Sequence, residues 1–573
     1  MYTERKEYPR PQFRRESWQS LNGEWEFDFG GKDVKNLMLS RKINVPFSYQ
    51  WEASGINYKS VHDRVWYRRT FEIAKENADR RALLCFNAAD YETDVWVNGY
   101  HVIKHTGGFT PFSADITDYL KDGENEIAVR CVDTLEAAVP RGKQSWTGEP
   151  FGCYYYPNSG IWQSVWIEFF DGDCIGNYSL QSDIDGRRIY GYVETAYGLA
   201  DELAITLKFK DKVIKKQRFS LDGRHTKYSV SLADHAFDFG ELLWWIDNPN
   251  LINVDFELLK GGAICDRAHA RIGLRKISID GYGKICLNGR PLYQRLILDQ
   301  GYWQESGLTP PSAEALKKDI ELSKAMGFNG ARKHQKLEDP YFYYYAEELG
   351  FLVWAEMPSA YTFCEREVKA IAQEWQEIVN VAKNFTSVIA YVPLNESWGV
   401  REIGTNEEQK AFAKSLYYLT KSLDKDRLIS TNDGFETVNP TDILGVHDYD
   451  SENAEHFKKY AARQYEGMHP QGWALFAEGE RYAGEPVLLT EFGGRALQKD
   501  KKGDNWGYSG AAEDEEEFLQ KLREMMKGVY SCDFQGFCYT QLTDVQQEVN
   551  GLLYPDRKPK APVEELKEIF GGR

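Results

Sequence analysis

Over the first 270 or so residues, apolar and polar positions alternate in short stretches broken by turn signals. Residues 65–67, 82–86, 93–97, 126–132 and 165–169 are apolar runs of strand length. Asn22-Gly23 and Asn98-Gly99 are dipeptides suited to tight hairpins. Helical spacing is hard to find there. The rhythm relaxes near Gly172, and a second block shows two-residue alternation in residues 204–209 and 228–232. The first block is of a size for a jelly-roll β-sandwich over residues 1–172. The second, about 100 residues long, suits an immunoglobulin-like β-sandwich over residues 173–278.

After about residue 280 apolar runs alternate with amphipathic helical stretches. Strands are predicted at 292–296, 328–332, 351–355, 388–394, 428–431, 443–446, 487–490 and 536–540. Helices are predicted at 313–326, 340–349, 367–383, 407–423, 454–460, 513–527 and 562–570. Eight strands in this rhythm over residues 279–573 predict a C-terminal (β/α)8 TIM barrel. A doubly wound open sheet has the same rhythm and is the alternative. No GxGxxG or GxxxxGK[ST] follows any strand, which weighs against nucleotide binding.

Composition narrows the classes. The chain of 573 residues carries a net charge of −18, so it repels polyphosphate, and neither nucleic acid nor an anionic membrane is an expected partner. No run approaches the apolar length of a membrane span, and residues 1–18 lack the apolar core of a secretory signal. The nine cysteines are odd in number and scattered, as expected of free thiols in a reducing cytoplasm. Aromatics make up 14% of the chain, with 16 Trp and 35 Tyr. They serve as packing in β-rich domains or as faces that stack on sugars.

The C-terminal strand ends of such a barrel converge on one pocket. Reading them off gives Asp299, Arg332 with His334, Glu356, Asn395-Glu396, Asn432-Asp433, His447 with Tyr449, Glu491, and Tyr539 with Gln541. A solvated rim would carry charges too. In Tyr-Val-Pro-Leu-Asn-Glu and Val-Leu-Leu-Thr-Glu-Phe, however, a carboxylate follows directly on an apolar strand, where poor solvation suits a tuned pKa. Retaining glycoside hydrolysis needs two carboxyls about 5–5.5 Å apart, one as nucleophile and one as acid then base. Glu396 and Glu491, after the fourth and seventh strands, are the candidates.

At these residues the chain resembles glycoside hydrolase family 2, the group of β-galactosidases, β-glucuronidases and β-mannosidases. The likeness runs through residues 21–27, 65–69, 95–99, 107–112 and 159–163, then Trp244-Trp245, Pro249-Asn250-Leu251 and Gly273-Leu274-Arg275. The resemblance implies a retaining exo-glycosidase. Glu396 would be its acid/base, following the Asn395 that holds the sugar 2-hydroxyl, and Glu491 its nucleophile, in Thr490-Glu491-Phe492-Gly493. It implies that Arg332 stands beside the nucleophile, favouring its charged form, and that Tyr449 donates to it. His334 and His447 are candidates for sugar hydroxyls or structural roles. Asp299, Asp433, Trp303, Trp354 and Trp398 are candidate pocket walls, with core packing as the alternative for each Trp. No metal or other cofactor is implied, the partner is a small-molecule or oligosaccharide glycoside, and a homo-oligomer is open.

The chain departs from the family pattern in places. The Asn-x-Lys by which β-glucuronidases read the sugar carboxylate is replaced by Glu548-Val549-Asn550-Gly551, which disfavours glucuronides. Strand two ends Arg332-Lys333-His334-Gln335-Lys336, and the eighth ends Cys538-Tyr539-Thr540-Gln541 without a Trp. A β-galactoside is the first expectation for the sugar; an α-L-arabinofuranoside, a β-galactofuranoside or a mannoside stays open, as does a non-catalytic carbohydrate-binding homologue. Residues 141–158 and 495–509 are loops that could reach the barrel mouth.

Overall fold

The computed structural model describes residues 5–572, except 32, 35, 36, 236–238 and 451–453. The N-terminal region is a β-sandwich. A six-stranded antiparallel sheet containing Gly23–Phe29, Arg64–Glu72, Glu92–Val97 and Glu124–Val132 faces a four-stranded one containing Arg81–Phe86 and Val165–Phe170. Period-two alternation puts Trp25, Phe27, Val65 and Tyr67 on one side, where they meet Leu84, Phe86, Val165 and Ile167 in one buried cluster. A second sandwich follows, of a three-stranded sheet (Ile175–Asp183, Arg188–Thr195, His225–Ser231) and a four-stranded sheet (Glu202–Phe209, Lys212–Ser220, Ile252–Lys260, Ala263–Ile272). All nine cysteines are unpaired. Among the described residues no helix is long and apolar enough to cross a membrane.

The C-terminal region is a parallel barrel. Its strands are β1 (Gln294–Asp299), β2 (Gly330–Lys333), β3 (Leu352–Glu356), β4 (Val388–Val392), β5 (Leu428–Ile429), β6 (Leu444–His447), β7 (Val487–Gly493) and β8 (Gly536–Thr540). They pair in the order 5-4-3-2-1-8-7-6, and Ile443 N bonds Ile429 O at 3.2 Å where β5 approaches β6. This cyclic order excludes the doubly wound alternative. The first strand lies two to three residues later than the sequence predicts.

Helices α1 (Ala313–Ala325), α2 (Pro340–Leu349), α3 (Glu365–Ala382), α4 (Glu407–Leu423), α5 (Glu515–Tyr530) and α6 (Val563–Phe570) belong to the barrel region. Ser312, Asp339, Asn406 and Asp514 cap four of them through side-chain oxygens. The helix predicted at 454–460 is instead a short 3₁₀ segment, His456–Ala462.

Along each barrel strand alternate residues face opposite ways. Leu296, Leu298, Leu352, Trp354, Ala390 and Val392 share one buried cluster, while Ile297, Ala331, Val353, Ala355 and Tyr391 share another with the helices. That alternation decides which polar residues at the strand ends reach the pocket.

The N-terminal sandwich meets the barrel mouth directly. Arg141 N and Gly142 N both donate to Ser359 O, at 2.9 and 3.1 Å, and Tyr361 N donates to Ala137 O at 2.7 Å. Gly142 has φ +59°, and a Cβ there would fall 2.3 Å from Gln335 O, so only glycine permits this approach.

Candidate active site

Glu396 sits just past β4, where Glu396 and Ser397 have φ +51° and +53°. This turn is pinned through its backbone N–H groups: Glu396 N donates to the backbone Asp433 O at 2.9 Å, and Ser397 N to the side-chain Asn432 Oδ1 at 3.1 Å. Glu491 lies within β7. One carboxylate oxygen of Glu396, one of Glu491 and a ring nitrogen of His447 all lie within 4.8 Å of one another. The Glu396 side chain is 20% exposed and that of Glu491 6%. The two acids therefore face one another at one site, the first partly open to solvent and the second nearly buried.

Each carboxylate has distinct partners. Glu491 accepts from the Tyr449 hydroxyl at 2.6 Å on one oxygen and from Arg332 Nη1 at 3.4 Å on the other. Glu396 Oε2 accepts from the Trp398 indole at 3.2 Å, and its Oε1 lies 2.8 Å from His447 Nδ1. The other imidazole nitrogen lies 3.0 Å from Asp433 Oδ2. Arg332 is fully buried and also reaches Glu356 (2.6 Å), Asp433 (2.9 Å), Thr490 O (2.7 Å) and Asn395 Oδ1 (3.1 Å). Its planar fork suits several acceptors at once.

These contacts set the charges. Burial opposes protonation of His447, but Glu491, Asp433 and Glu396 outweigh it and raise the imidazole to about 10. Burial alone would raise Glu396, but the hydrogen bond and charge of His447, with Lys143 and His334, bring its carboxyl down to about 2. Asp433 is likewise driven well below the usual carboxylate range: burial opposes this, and Arg332 and His447 win.

The N-terminal sandwich supplies one wall. Trp146 stacks on Tyr361 with ring centroids 4.2 Å apart, and Tyr154 and Tyr361 both meet Trp398 edge-on, at 5.6 and 5.5 Å. Lys143 is buried beside them. Burial alone would lower its ammonium, but Cys153, Glu548, Glu396 and Glu491 outweigh that and raise it. On the β8 side, Tyr508 stacks on Tyr449 at 4.2 Å and lies 3.4 Å from Glu548 Oε1, so the 495–509 loop also reaches the pocket.

Comparison with known proteins agrees with this architecture. Residues 18–167 match the sugar binding domain of glycosyl hydrolases family 2, and residues 278–572 match the TIM barrel domain of the same family. The chain belongs to glycosyl hydrolase family 2. Among curated family 2 relatives, a β-glucuronidase of Streptococcus agalactiae is 22% identical over 96% of this chain and 95% of its own length. A β-galactosidase of Thermoanaerobacter pseudethanolicus is 26% identical over 71% of this chain and 53% of its own. The chain spans about half the length of several such relatives. A solved β-D-glucuronidase of Dictyoglomus thermophilum superimposes with a TM-score of 0.78 over 99% of both chains at 20% identity, which establishes the shared fold.

The sequence-predicted residues divide into four groups. Arg332, Asn395, Glu396, His447, Tyr449, Glu491 and Trp398 come together as described. His334 is held close by, its Nδ1 2.7 Å from Glu356 Oε2. Asp433 is not a pocket wall: it is wholly buried behind His447 and Arg332. The remaining three are corrected by the structure. Asp299 follows Ile297 on the outer side of β1, where Lys333 Nζ takes it at 2.6 Å. Trp354 faces inward among the barrel-core residues, its indole donating to Gln294 Oε1 at 2.8 Å, one residue pair before Glu356. Trp303 lies under the Arg557 guanidinium, 3.5 Å from its ring centroid, within the apolar core.

Glu356 is among the strand ends read from the sequence, but Lys143, Tyr154, Tyr361 and Tyr508 are not named there as site residues. Only Glu356 left a local signal, as a carboxylate ending Leu-Val-Trp-Ala-Glu. Lys143 and Tyr154 come from a loop of the N-terminal sandwich, Tyr361 from the loop after β3 and Tyr508 from the loop after β7.

Proposed function

We propose that the chain is a retaining exo-glycoside hydrolase, with Glu491 as nucleophile and Glu396 as acid/base. The observation that carries this reading is the pair of carboxylates with oxygens within 4.8 Å of each other, near the spacing of about 5–5.5 Å at which one acid attacks the anomeric carbon and the other serves the leaving oxygen. In the first step Glu491 bonds to C1, the C1–O bond breaks, and Glu396 gives its proton to the departing oxygen. In the second, Glu396 takes a proton from water, which displaces Glu491 from C1. Arg332 and the Tyr449 hydroxyl face Glu491 where its charge returns. Asn395, its Oδ1 held by Arg332 at 3.1 Å, turns its amide to the sugar 2-hydroxyl. The aromatic wall of Trp146, Tyr154, Tyr361 and Trp398 narrows the mouth, which fits a terminal sugar.

The sugar is read as neutral, with a β-galactoside first. Glu548 is a wholly buried carboxylate beyond β8, accepting from Gln541 at 2.8 Å and Asn550 at 3.3 Å. A uronate beside it would bring two carboxylates together, which is costly. A β-glucuronide is the second reading, favoured by the buried Lys143 ammonium and by near-full-length relatives named β-glucuronidases.

A panel of nitrophenyl glycosides tests both: β-galactoside, β-glucuronide, β-mannoside, β-galactofuranoside and α-L-arabinofuranoside, on wild type, Glu396→Gln and Glu491→Gln. Glu491→Gln is expected to abolish turnover, and the first-formed sugar to keep its anomeric configuration by NMR. Equal turnover by wild type and Glu491→Gln on every cleaved substrate overturns the mechanism. Turnover of the glucuronide alone overturns the neutral-sugar reading.

A further inference from the structure

His447 stands between the two acids in a way that neither sugar binding nor packing requires. Its ring lies 2.8 Å from Glu396 Oε1 and 3.5 Å from Glu491 Oε2 through Nδ1, and 3.0 Å from Asp433 Oδ2 through Nε2. The side chain is fully buried. The charged groups facing it come from four elements: Glu396 after β4, Asp433 after β5, Glu491 in β7, and Arg332 in β2, whose Nη1 lies 3.4 Å from Nε2. Phe435 meets the ring edge-on at 6.1 Å, and Gly434 packs so closely that a Cβ would lie 2.5 Å from Nδ1. The ring therefore has one position and one orientation.

The two oxygens of Glu396 differ. Oε2 accepts from the Trp398 N–H, so that side of the carboxylate is an acceptor. Oε1 faces His447 and, past it, Glu491, so Oε1 is the oxygen that can carry a proton toward the scissile bond.

We infer that His447 is a positioning residue that stores the catalytic proton: its Nδ1 and Glu396 Oε1 share one proton, and Glu396 acts as an acid only by drawing on that store. This rests on the acid/base reading of Glu396 proposed above. In the first step the proton passes from Nδ1 to Oε1, leaving a neutral imidazole whose Nε2–H still bonds Asp433. Glu396 then gives that proton to the leaving oxygen as the C1–O bond breaks and the bond from Glu491 to C1 forms. In the second step a water proton passes to Glu396 and back to Nδ1, as water oxygen bonds to C1 and Glu491 departs as a carboxylate. No other reactant is needed. The arrangement explains how an acid held as a carboxylate at rest can still donate at neutral pH.

The test compares aryl glycosides, from dinitrophenyl to phenyl, of whichever sugar the enzyme turns over. In His447→Gln, kcat/KM on the phenyl glycoside is expected to fall about 100-fold or more, and on the dinitrophenyl glycoside less than about tenfold, because a good leaving group needs no acid. The basic limb of the pH profile is expected to move down by at least about one unit. Asp433→Asn, which removes the anion behind the ring, is expected to change both in the same direction and serves if His447→Gln does not fold. A uniform loss across leaving groups with an unmoved basic limb overturns the inference. The wild type supplies an arm without any variant: its basic limb on the phenyl glycoside must lie above about pH 8, against about 6.5 for an ordinary histidine, and a lower limb also overturns it. Glu396→Gln run alongside separates the failures. If that variant is indifferent to the leaving group, the acid/base reading falls; if it is selective and His447→Gln is not, only the proton store falls.

Discussion

Tyr449→Phe isolates one hydrogen bond to the proposed nucleophile. The Tyr449 hydroxyl donates to Glu491 Oε2 at 2.6 Å and lies 3.0 Å from Thr540 Oγ1. Its ring stacks on Tyr508 at 4.2 Å, a contact that phenylalanine keeps. A hydrogen bond to a charged group contributes about 1.5–3 kcal/mol, and about 1.36 kcal/mol is a factor of ten in rate. The full bond is therefore worth about 10- to 150-fold. It counts most where charge returns to Glu491, which is the second step, when the covalent bond to the sugar breaks. The first step consumes that charge, so losing a donor there costs less. Deglycosylation should slow by about 10- to 150-fold, with glycosylation slowing less. Stopped-flow release of dinitrophenol should then show a burst of one equivalent, and kcat should be the same for all good leaving groups. Mass spectrometry of the quenched enzyme should find the sugar on Glu491. A rate like that of the wild type, or a loss confined to the first step with no burst, would refute the reasoning.

Other outcomes follow from single contacts. Gly434→Ala places a Cβ 2.5 Å from His447 Nδ1 at a φ of +102°. It should lower stability by about 1–3 kcal/mol in thermal melts and reduce kcat/KM at least about tenfold, the ring being forced to move. Trp354→Phe removes the indole bonded to Gln294, so it should cost about 1–3 kcal/mol while leaving KM unchanged; a raised KM would restore this residue to the pocket. Stability should also depend on pH. His447 is raised from 6.5 to about 10, so its contribution is complete below pH 6.5 and lost as pH rises through 10, and Tm should fall across that window in wild type but less in His447→Gln. Glu396 is lowered from 4.5 to about 2, so its contribution is present above pH 4.5 and lost as pH falls toward 2, a slope that Glu396→Gln should reduce.

The sequence by itself determined the architecture and the acid pair. Hydrophobic period selects strand or helix locally, so two sandwiches and a run of β/α units were legible without any long-range contact. Glu396 and Glu491 were legible because each ends an apolar strand within its own motif, and a barrel must bring strand ends together. Tertiary structure alone decided which strand-end residues reach the cavity. Asp299 and Arg332 end neighbouring strands, yet strand alternation sends Asp299 outward to Lys333 and Arg332 inward to Glu491. Trp354 faces inward too, but Glu356, two residues on, holds the place nearer the mouth. Lys143 and Tyr154 come from a loop more than 200 residues from either glutamate, and Tyr508 from the loop that follows β7; no local pattern encodes where a loop lands. The pairing of His447 with Glu396 and Asp433 has the same origin: three residues at the ends of three strands gain their charges from one another only once the chain has closed and water is gone.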